Sequence, residues 1–210
     1  MILEADAFLF DLDGTLINSL AVVDRVWSTW AIEHGLDPVE VVAACHGRRS
    51  LDTIMKFAPH LPQPKANDEF VDRESADVEG LLEIPGAISF LRQLPLDRWA
   101  IVTSCPEKLA KVRMTALGVP TPEVLIKADD VKQGKPNPEG YLLAASRLGF
   151  DPSHCLVFED AAAGIEAGKR AGMRVVTVTA THTGALPSDV SIRDYTKVKL
   201  RQISPLTLEL

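Results

Sequence analysis

What this chain lacks narrows its class before any motif is read. No apolar stretch approaches the roughly 20 residues a helix needs to cross a bilayer, so no membrane partner is expected. The opening MILEADAF places acids early, with no apolar segment behind a basic flank, and no signal peptide is expected. Cysteine is scarce. Cys45, Cys105 and Cys155 are odd in number, widely spaced and in no metal-ligand pattern, which reads as reduced thiols in the cytoplasm. Basic residues are outnumbered, 22 Lys and Arg against 29 Asp and Glu, for a net charge of −7. They form no tract and no run interleaved with aromatics, so nucleic-acid binding is disfavoured. Internal repeats and low-complexity segments are also missing. What remains, 46% hydrophobic and 24% charged over 210 residues, is the composition of an ordinary globular protein, one domain or one domain carrying an insertion.

The most informative stretch is near the amino terminus. The apolar run Ala7 to Phe10 reads as a buried strand leading into Asp11-Leu12-Asp13-Gly14-Thr15-Leu16, with Gly14 marking a turn. Residues two apart on a strand share a face, so Asp11 and Asp13 stand side by side at its end. Two close carboxylates repel unless a cation or a shared proton relieves them. The pair therefore points to a hard metal ion, a proton-transfer pair, or both.

From Ser19 to about Leu82 the pattern is helical, with no convincing strand. Asn18-Ser19 can cap a helix with apolar positions Val22, Val23, Val26, Trp27, Trp30 and Ala31 that stops at Gly35. Helices follow at Pro38–Cys45, Ser50–Phe57 and Asn67–Leu82, the last two parted by the Pro-rich break at residues 59–64. From Ile84 helix alternates with short apolar strand: helix Gly86–Leu94, strand Trp99–Thr103, helix Pro106–Leu117, strand Val124–Lys127, helix Pro138–Leu148, strand Cys155–Phe158, helix Ala161–Ala171, strand Arg174–Val178. Such alternation predicts an α/β fold, a doubly wound parallel Rossmann-like sheet with ligands beyond the carboxyl ends of its strands. The expected division is an α/β core over residues 1–18 and 83–210, with a small all-helical cap over 19–82. The tail beyond Leu186 suggests only a last edge strand and a short helix.

Three further clusters sit at expected strand ends. Thr103-Ser104 can cap a helix or hold a phosphoryl oxygen. Lys135 follows Gly134, but Pro136 stands where a P-loop needs Ser or Thr, so that reading fails. Glu159-Asp160 could be mere helix-start charges. Gly164, Gly168 and Gly172, four residues apart, suggest close helix packing.

Taken together, FDLDGTL, the Val-Thr-Ser end of the second strand, GKPNP and VFEDAAAGIEAG resemble the four motifs of the haloacid dehalogenase superfamily, in that family's order and over about residues 7–179. The helical insertion between the first two motifs resembles the small-cap subclass, and the wording is closest to its sugar and polyol phosphatases. The resemblance implies Asp11 as nucleophile and Asp13 as general acid/base. It implies phosphoryl binding by Thr103, Ser104 (through its backbone) and Lys135. It also implies a Mg²⁺ site built from Asp11, the Asp13 backbone carbonyl and Asp160, with Glu159 direct or through water. The implied activity is Mg²⁺-dependent hydrolysis of a small phosphorylated sugar, polyol or similar metabolite through an aspartyl-phosphate, in a cytoplasmic monomer or weak homodimer.

The alternative is a β-phosphoglucomutase-like isomerase, but the family's extra acid/base His falls on Val23. A dehalogenase would lack Asp13 and Asp160. For the leaving group, the turn Gly47-Arg48-Arg49 is the expected specificity loop, with neither arginine paired to an acid at helical spacing and Arg49 the more inward-pointing. Cys105 has no nearby His and is expected to be a neighbour of the site, not a nucleophile.

Overall fold

The computed structural model describes residues 1–182 and 190–210. In chain order its elements are β1 (Ile2–Ala5), β2 (Ala7–Phe10), β3 (Ile17–Asn18), α1 (Leu20–Glu33), α2 (Pro38–Cys45), α3 (Ser50–Phe57), α4 (Lys65–Ser75), β4 (Leu82–Glu83) and α5 (Ala87–Leu91). There follow β5 (Trp99–Val102), α6 (Glu107–Leu117), β6 (Val124–Ile126), α7 (Glu139–Leu148), β7 (Cys155–Glu159), α8 (Ala162–Arg170), β8 (Arg174–Val178), β9 (Val190–Ile192), β10 (Lys199–Ile203) and β11 (Leu206–Glu209).

Six strands form one sheet in the order β6-β5-β2-β7-β8-β9, and every neighbouring pair is parallel. Alternation along each strand divides the core into two apolar layers. Phe8, Phe10, Ile101, Leu156 and Phe158 face one layer. Ala7, Leu9, Ala100, Val102 and Val157 face the other, under Tyr141 of α7 and Ala167 of α8. The Phe10 and Phe158 rings stack 4.7 Å apart, tying the two central strands together. This is the doubly wound sheet expected, and it brings the carboxyl ends of β2, β5 and β7 to one edge.

Helices α1 to α4 form the insertion between β3 and β4. Trp27 and Trp30 of α1 pack on Phe70 of α4, with the Trp27 and Phe70 rings 4.0 Å apart. Helix α1 starts where the sequence suggested, but Ser19 makes no side-chain cap; Asn18 Oδ1 accepts from the Leu20 N–H at 3.2 Å instead.

Three expectations need correction. The helix read over Asn67–Leu82 ends at Ser75, and Leu82 belongs to β4, antiparallel to β3. The turn between them is held from α1, where Arg25 bonds both oxygens of Asp77 at 2.8 Å and the Glu79 carbonyl at 2.9 Å. The tail holds no short helix among its described residues. It adds the parallel edge strand β9 and then the hairpin β10–β11, which pairs antiparallel with β1 in a separate three-stranded sheet; residues 186–189, where the tail was read to begin, lie outside the described residues. Finally, Gly172 does not serve close packing. It lies past the end of α8 with φ +77°, and nothing stands within 4 Å of where its Cβ would be.

Candidate active site

The strand β2 delivers Asp11 and Asp13 to the rim of a cleft between sheet edge and cap. Asp11 is tied to the sheet by its N–H, which donates to the Phe158 carbonyl at 3.0 Å. The chain then turns at Gly14, whose φ of +87° suits glycine. A Cβ there would overlap the Asp160 carboxylate, so the turn and the acid at the end of β7 can meet only because Gly14 has no side chain.

Lys135 reaches this point from the loop before α7. Its Nζ donates to Asp11 Oδ1 at 2.5 Å, to Glu159 Oε1 at 2.6 Å and to the Val102 carbonyl at 2.9 Å, and it is 6% exposed. Two carboxylates around the ammonium hold its pKa above the lysine range despite burial. Burial pushes the Asp11 carboxyl well up; Lys135 pulls it back, and Glu159 and Asp160 add to the rise. Oxygens of Asp11, Glu159 and Asp160 all lie within 4.8 Å of one another, a three-carboxylate cluster answered by one lysine. That imbalance of charge, with oxygen donors only, fits a hard divalent cation.

Within the cluster the acids differ. Both oxygens of Glu159 are already occupied: Oε1 by Lys135 and the Tyr141 hydroxyl (2.8 Å), Oε2 by the backbone N–H groups of Asp160 and Ala161 (3.0 and 3.2 Å). Gly164 leaves room for this carboxylate, since a Cβ there would overlap it. Asp160 is bonded by side chains alone: the Thr15 hydroxyl donates to Oδ1 at 3.2 Å, and His182 Nε2 and the Thr181 hydroxyl lie 3.0 and 3.5 Å from Oδ2. Burial raises the Asp160 carboxyl, His182 counters this, and the carboxylate in turn raises the His182 imidazole.

Thr103 ends β5 in the cleft wall, its Oγ1 accepting from the Cys105 N–H at 3.0 Å. The Ser104 hydroxyl reaches across to the cap and donates to the Gly47 carbonyl at 3.0 Å.

The cap arginines part company. Arg48 and Gly47 line the cleft. Arg49 does not. It forms a fork to Asp52, both bonds 2.8 Å, and donates to the Val131 and Lys132 carbonyls at 3.4 and 3.3 Å. The absence of a helical-spacing acid partner was therefore wrong for Arg49, because Asp52 lies three residues on. So was the expectation that Arg49 points inward: it starts α3, and its side chain runs back over the core loop beside Gly134.

A family description, haloacid dehalogenase-like hydrolase, matches residues 5–172. The chain is 43% identical over 183 residues to hexitol phosphatase A of Escherichia coli, covering 85% of each chain. It is 38% identical to glycerol-1-phosphate phosphohydrolase 2 of Saccharomyces cerevisiae, over 85% of this chain and 76% of that one. The chain belongs to the haloacid dehalogenase-like hydrolases. Among solved structures, a hydrolase from Pseudomonas syringae superposes with a TM-score of 0.76 at 22% identity, covering 90% of this chain and 94% of that one, a likeness of fold. A haloacid dehalogenase family hydrolase from Deinococcus radiodurans, with bound phosphate and sodium, has a TM-score of 0.65 at 28% identity, covering 90% of each chain.

The largest element that sequence reasoning missed is a buried ionic chain behind Asp13. Arg113 of α6, 3% exposed, places Nη1 2.8 Å from Asp13 Oδ1 and donates from Nη2 to Glu74 Oε1 at 2.7 Å. It also donates to Cys105 Sγ at 3.2 Å, and Cys105 Sγ donates to Asp13 Oδ2 at 3.0 Å. Burial pushes the Cys105 thiol well up, and Asp13 adds to it, so this sulfur is no nucleophile. Burial likewise raises the Glu74 carboxyl against the pull of Arg113. Glu74 comes from α4 in the cap. The pair was invisible in sequence because neither residue stands in a motif; the only signal was a charge on each helix without a helical-spacing partner.

Proposed function

We propose that this hydrolase is a Mg²⁺-dependent phosphomonoesterase acting on a small phosphorylated sugar or polyol through an aspartyl-phosphate. The convergence of Asp11, Asp13, Lys135 and Asp160 at the sheet edge carries the reading. Asp11, whose Oδ1 is held by Lys135, attacks phosphorus; the ester P–O bond breaks and Asp13 protonates the departing alkoxide. Asp13 then takes a proton from water as it attacks the phospho-enzyme, releasing phosphate and restoring Asp11. Thr103, with the Ser104 backbone, holds the phosphoryl oxygens, and the Lys135 ammonium, its three N–H bonds already made, offsets their charge. Asp11, the Asp13 carbonyl and Asp160 would hold Mg²⁺, which offsets the roughly −1.5 to −2 charges of the phosphoryl group. Glu159, with its oxygens occupied, acts on that site through water and anchors Lys135.

The relatives' names, hexitol phosphatase and glycerol-1-phosphate phosphohydrolase, support the substrate class. Val23 lines the cleft where an isomerase would place its extra acid/base, and a valine moves no proton. Among the described residues no helix is long and apolar enough to cross a membrane, and the three cysteines are unpaired, the state of thiols in a reducing cytoplasm.

The test is phosphate release from sugar and polyol monophosphates, with product analysis on β-glucose 1-phosphate plus a trace of the bisphosphate. Asp11→Asn should abolish release by several orders of magnitude while the protein stays folded. Near wild-type turnover by Asp11→Asn, or glucose 6-phosphate accumulating faster than free phosphate, would refute the reading.

A further inference from the structure

The buried pair Glu74–Arg113 has no part in the chemistry at phosphorus, yet both residues line the cleft beside Asp13. Each is nearly inaccessible, Glu74 4% and Arg113 3% exposed, and they come from opposite sides, cap helix α4 and core helix α6. Burying two charges is expensive, and a well-packed apolar pair would serve stability as well. Arg113 engages only Oε1 of Glu74; among the described residues nothing donates to Oε2. Glu74 lines the cleft, so this oxygen opens onto the space a ligand would fill and can accept from it.

Its surroundings say what kind. The cap side of the lining is largely apolar, from Leu20, Val23, Trp27 and Cys45, with the polar Ser19 and His46 beside them. Another cap-side hydroxyl in the lining, Ser50, is spent on Asn67 Oδ1 at 2.6 Å. At the chamber floor two carboxylates, Asp13 and Glu74, share one guanidinium, so the floor repels an anion. The cation Arg48, also in the lining, is exposed to solvent, which screens its charge. An aromatic and aliphatic wall with one free carboxylate oxygen suits a leaving group with C–H faces and hydroxyl donors and no charge of its own.

Resting on the phosphatase reading, we propose that Glu74, held in place by Arg113, is a specificity residue: its free carboxylate oxygen accepts a hydroxyl of an uncharged polyol or sugar leaving group and turns away leaving groups that carry an anion. Arg113 is the positioning residue of this subsite. A site that bonds a substrate hydroxyl discriminates strongly against the analogue lacking it, because the acceptor, shut off from water by the bound analogue, is then left unpaired.

The experiment compares wild type and Glu74→Gln on three esters with alkyl leaving groups: glycerol 1-phosphate, propyl phosphate and 2-phosphoglycolate. All three need a proton from Asp13, so a defect passed through Arg113 to the acid would lower them together. Wild type should favour glycerol 1-phosphate over both others in kcat/KM. In Glu74→Gln the glycerol-to-propyl ratio should fall roughly tenfold or more, the gap between a hydrogen bond to a charged group and a neutral one together with the lost geometry. The phosphoglycolate-to-propyl ratio should rise. Ratios unchanged from wild type, whether all rates fall or none, would overturn the proposal. If Glu74→Gln fails to fold, wild type decides: equal or faster hydrolysis of 2-phosphoglycolate than of glycerol 1-phosphate overturns it, and a clear preference for glycerol 1-phosphate over both others supports it. A wild type inert on these three and on p-nitrophenyl phosphate would instead refute the phosphatase reading, and this proposal would fall with it.

Discussion

Lys135→Met tests the electrostatics of the site without any substrate. Methionine nearly matches the lysine stem in volume, so the change is mainly the loss of a buried ammonium. That ammonium sits 2.5 Å from Asp11 Oδ1 and 2.6 Å from Glu159 Oε1 in a region shut off from water. Removing one partner of a buried pair costs about 3–5 kcal/mol, because the charge left behind has neither water nor a counter-ion. Glu159 keeps Tyr141 and two backbone N–H donors, so most of the penalty falls on Asp11. For a chain of this size about 2–4 °C of Tm accompanies each kcal/mol, which predicts a fall of about 6–20 °C in metal-free protein at neutral pH. Thermal unfolding followed by circular dichroism measures it. Two internal checks follow from the same reasoning. Saturating Mg²⁺ should narrow the gap between variant and wild type, since it supplies charge to the same carboxylates. The double variant Asp11→Asn/Lys135→Met should be more stable than Lys135→Met alone. A Lys135→Met protein within about 2 °C of wild type without metal would refute the claim that this lysine balances the cluster.

Activity should vanish after chelation and return with Mg²⁺, with Ca²⁺ a poor substitute because its looser shell disturbs in-line geometry; phosphate release measures it, and full activity in metal-stripped protein would dispose of the site. Arg49→Ala should change polyol phosphate and p-nitrophenyl phosphate hydrolysis alike, their kcat/KM ratio moving by less than about twofold, because Arg49 braces Asp52 and the Val131–Lys132 carbonyls and stands outside the cleft. All three thiols are buried with pKa values raised by burial, Cys155 to about 11, so the reactive thiolate is scarce at pH 8. Native protein should therefore react slowly with a thiol-specific disulfide reagent and release the full three equivalents only on unfolding; rapid native titration of any cysteine would contradict the buried placement.

What the sequence by itself determined lies where a few neighbouring residues carry the whole instruction. The apolar run Ala7–Phe10 can only be a buried strand, and Asp11 and Asp13 inherit its two-residue period. Pro38 and Asp37 mark the start of α2 within one turn, Asp37 Oδ1 accepting from the Val39 N–H at 2.8 Å. The Arg49–Asp52 pair was also legible at helical spacing and was overlooked. Tertiary structure alone decided the rest. Strand β1 is a four-residue alternation that becomes a strand only by pairing with β11, about two hundred residues away. Leu82 reads as the end of a helix until Asn18 pairs with it. His182 meets Asp160 across 22 residues and Arg113 meets Glu74 across 39. Each side chain looks like an ordinary polar surface residue in its own segment. Periodicity reports which face of an element is apolar, but a charge becomes a buried, partnered charge only when another element closes over it, and for Arg113 that element is the cap helix α4.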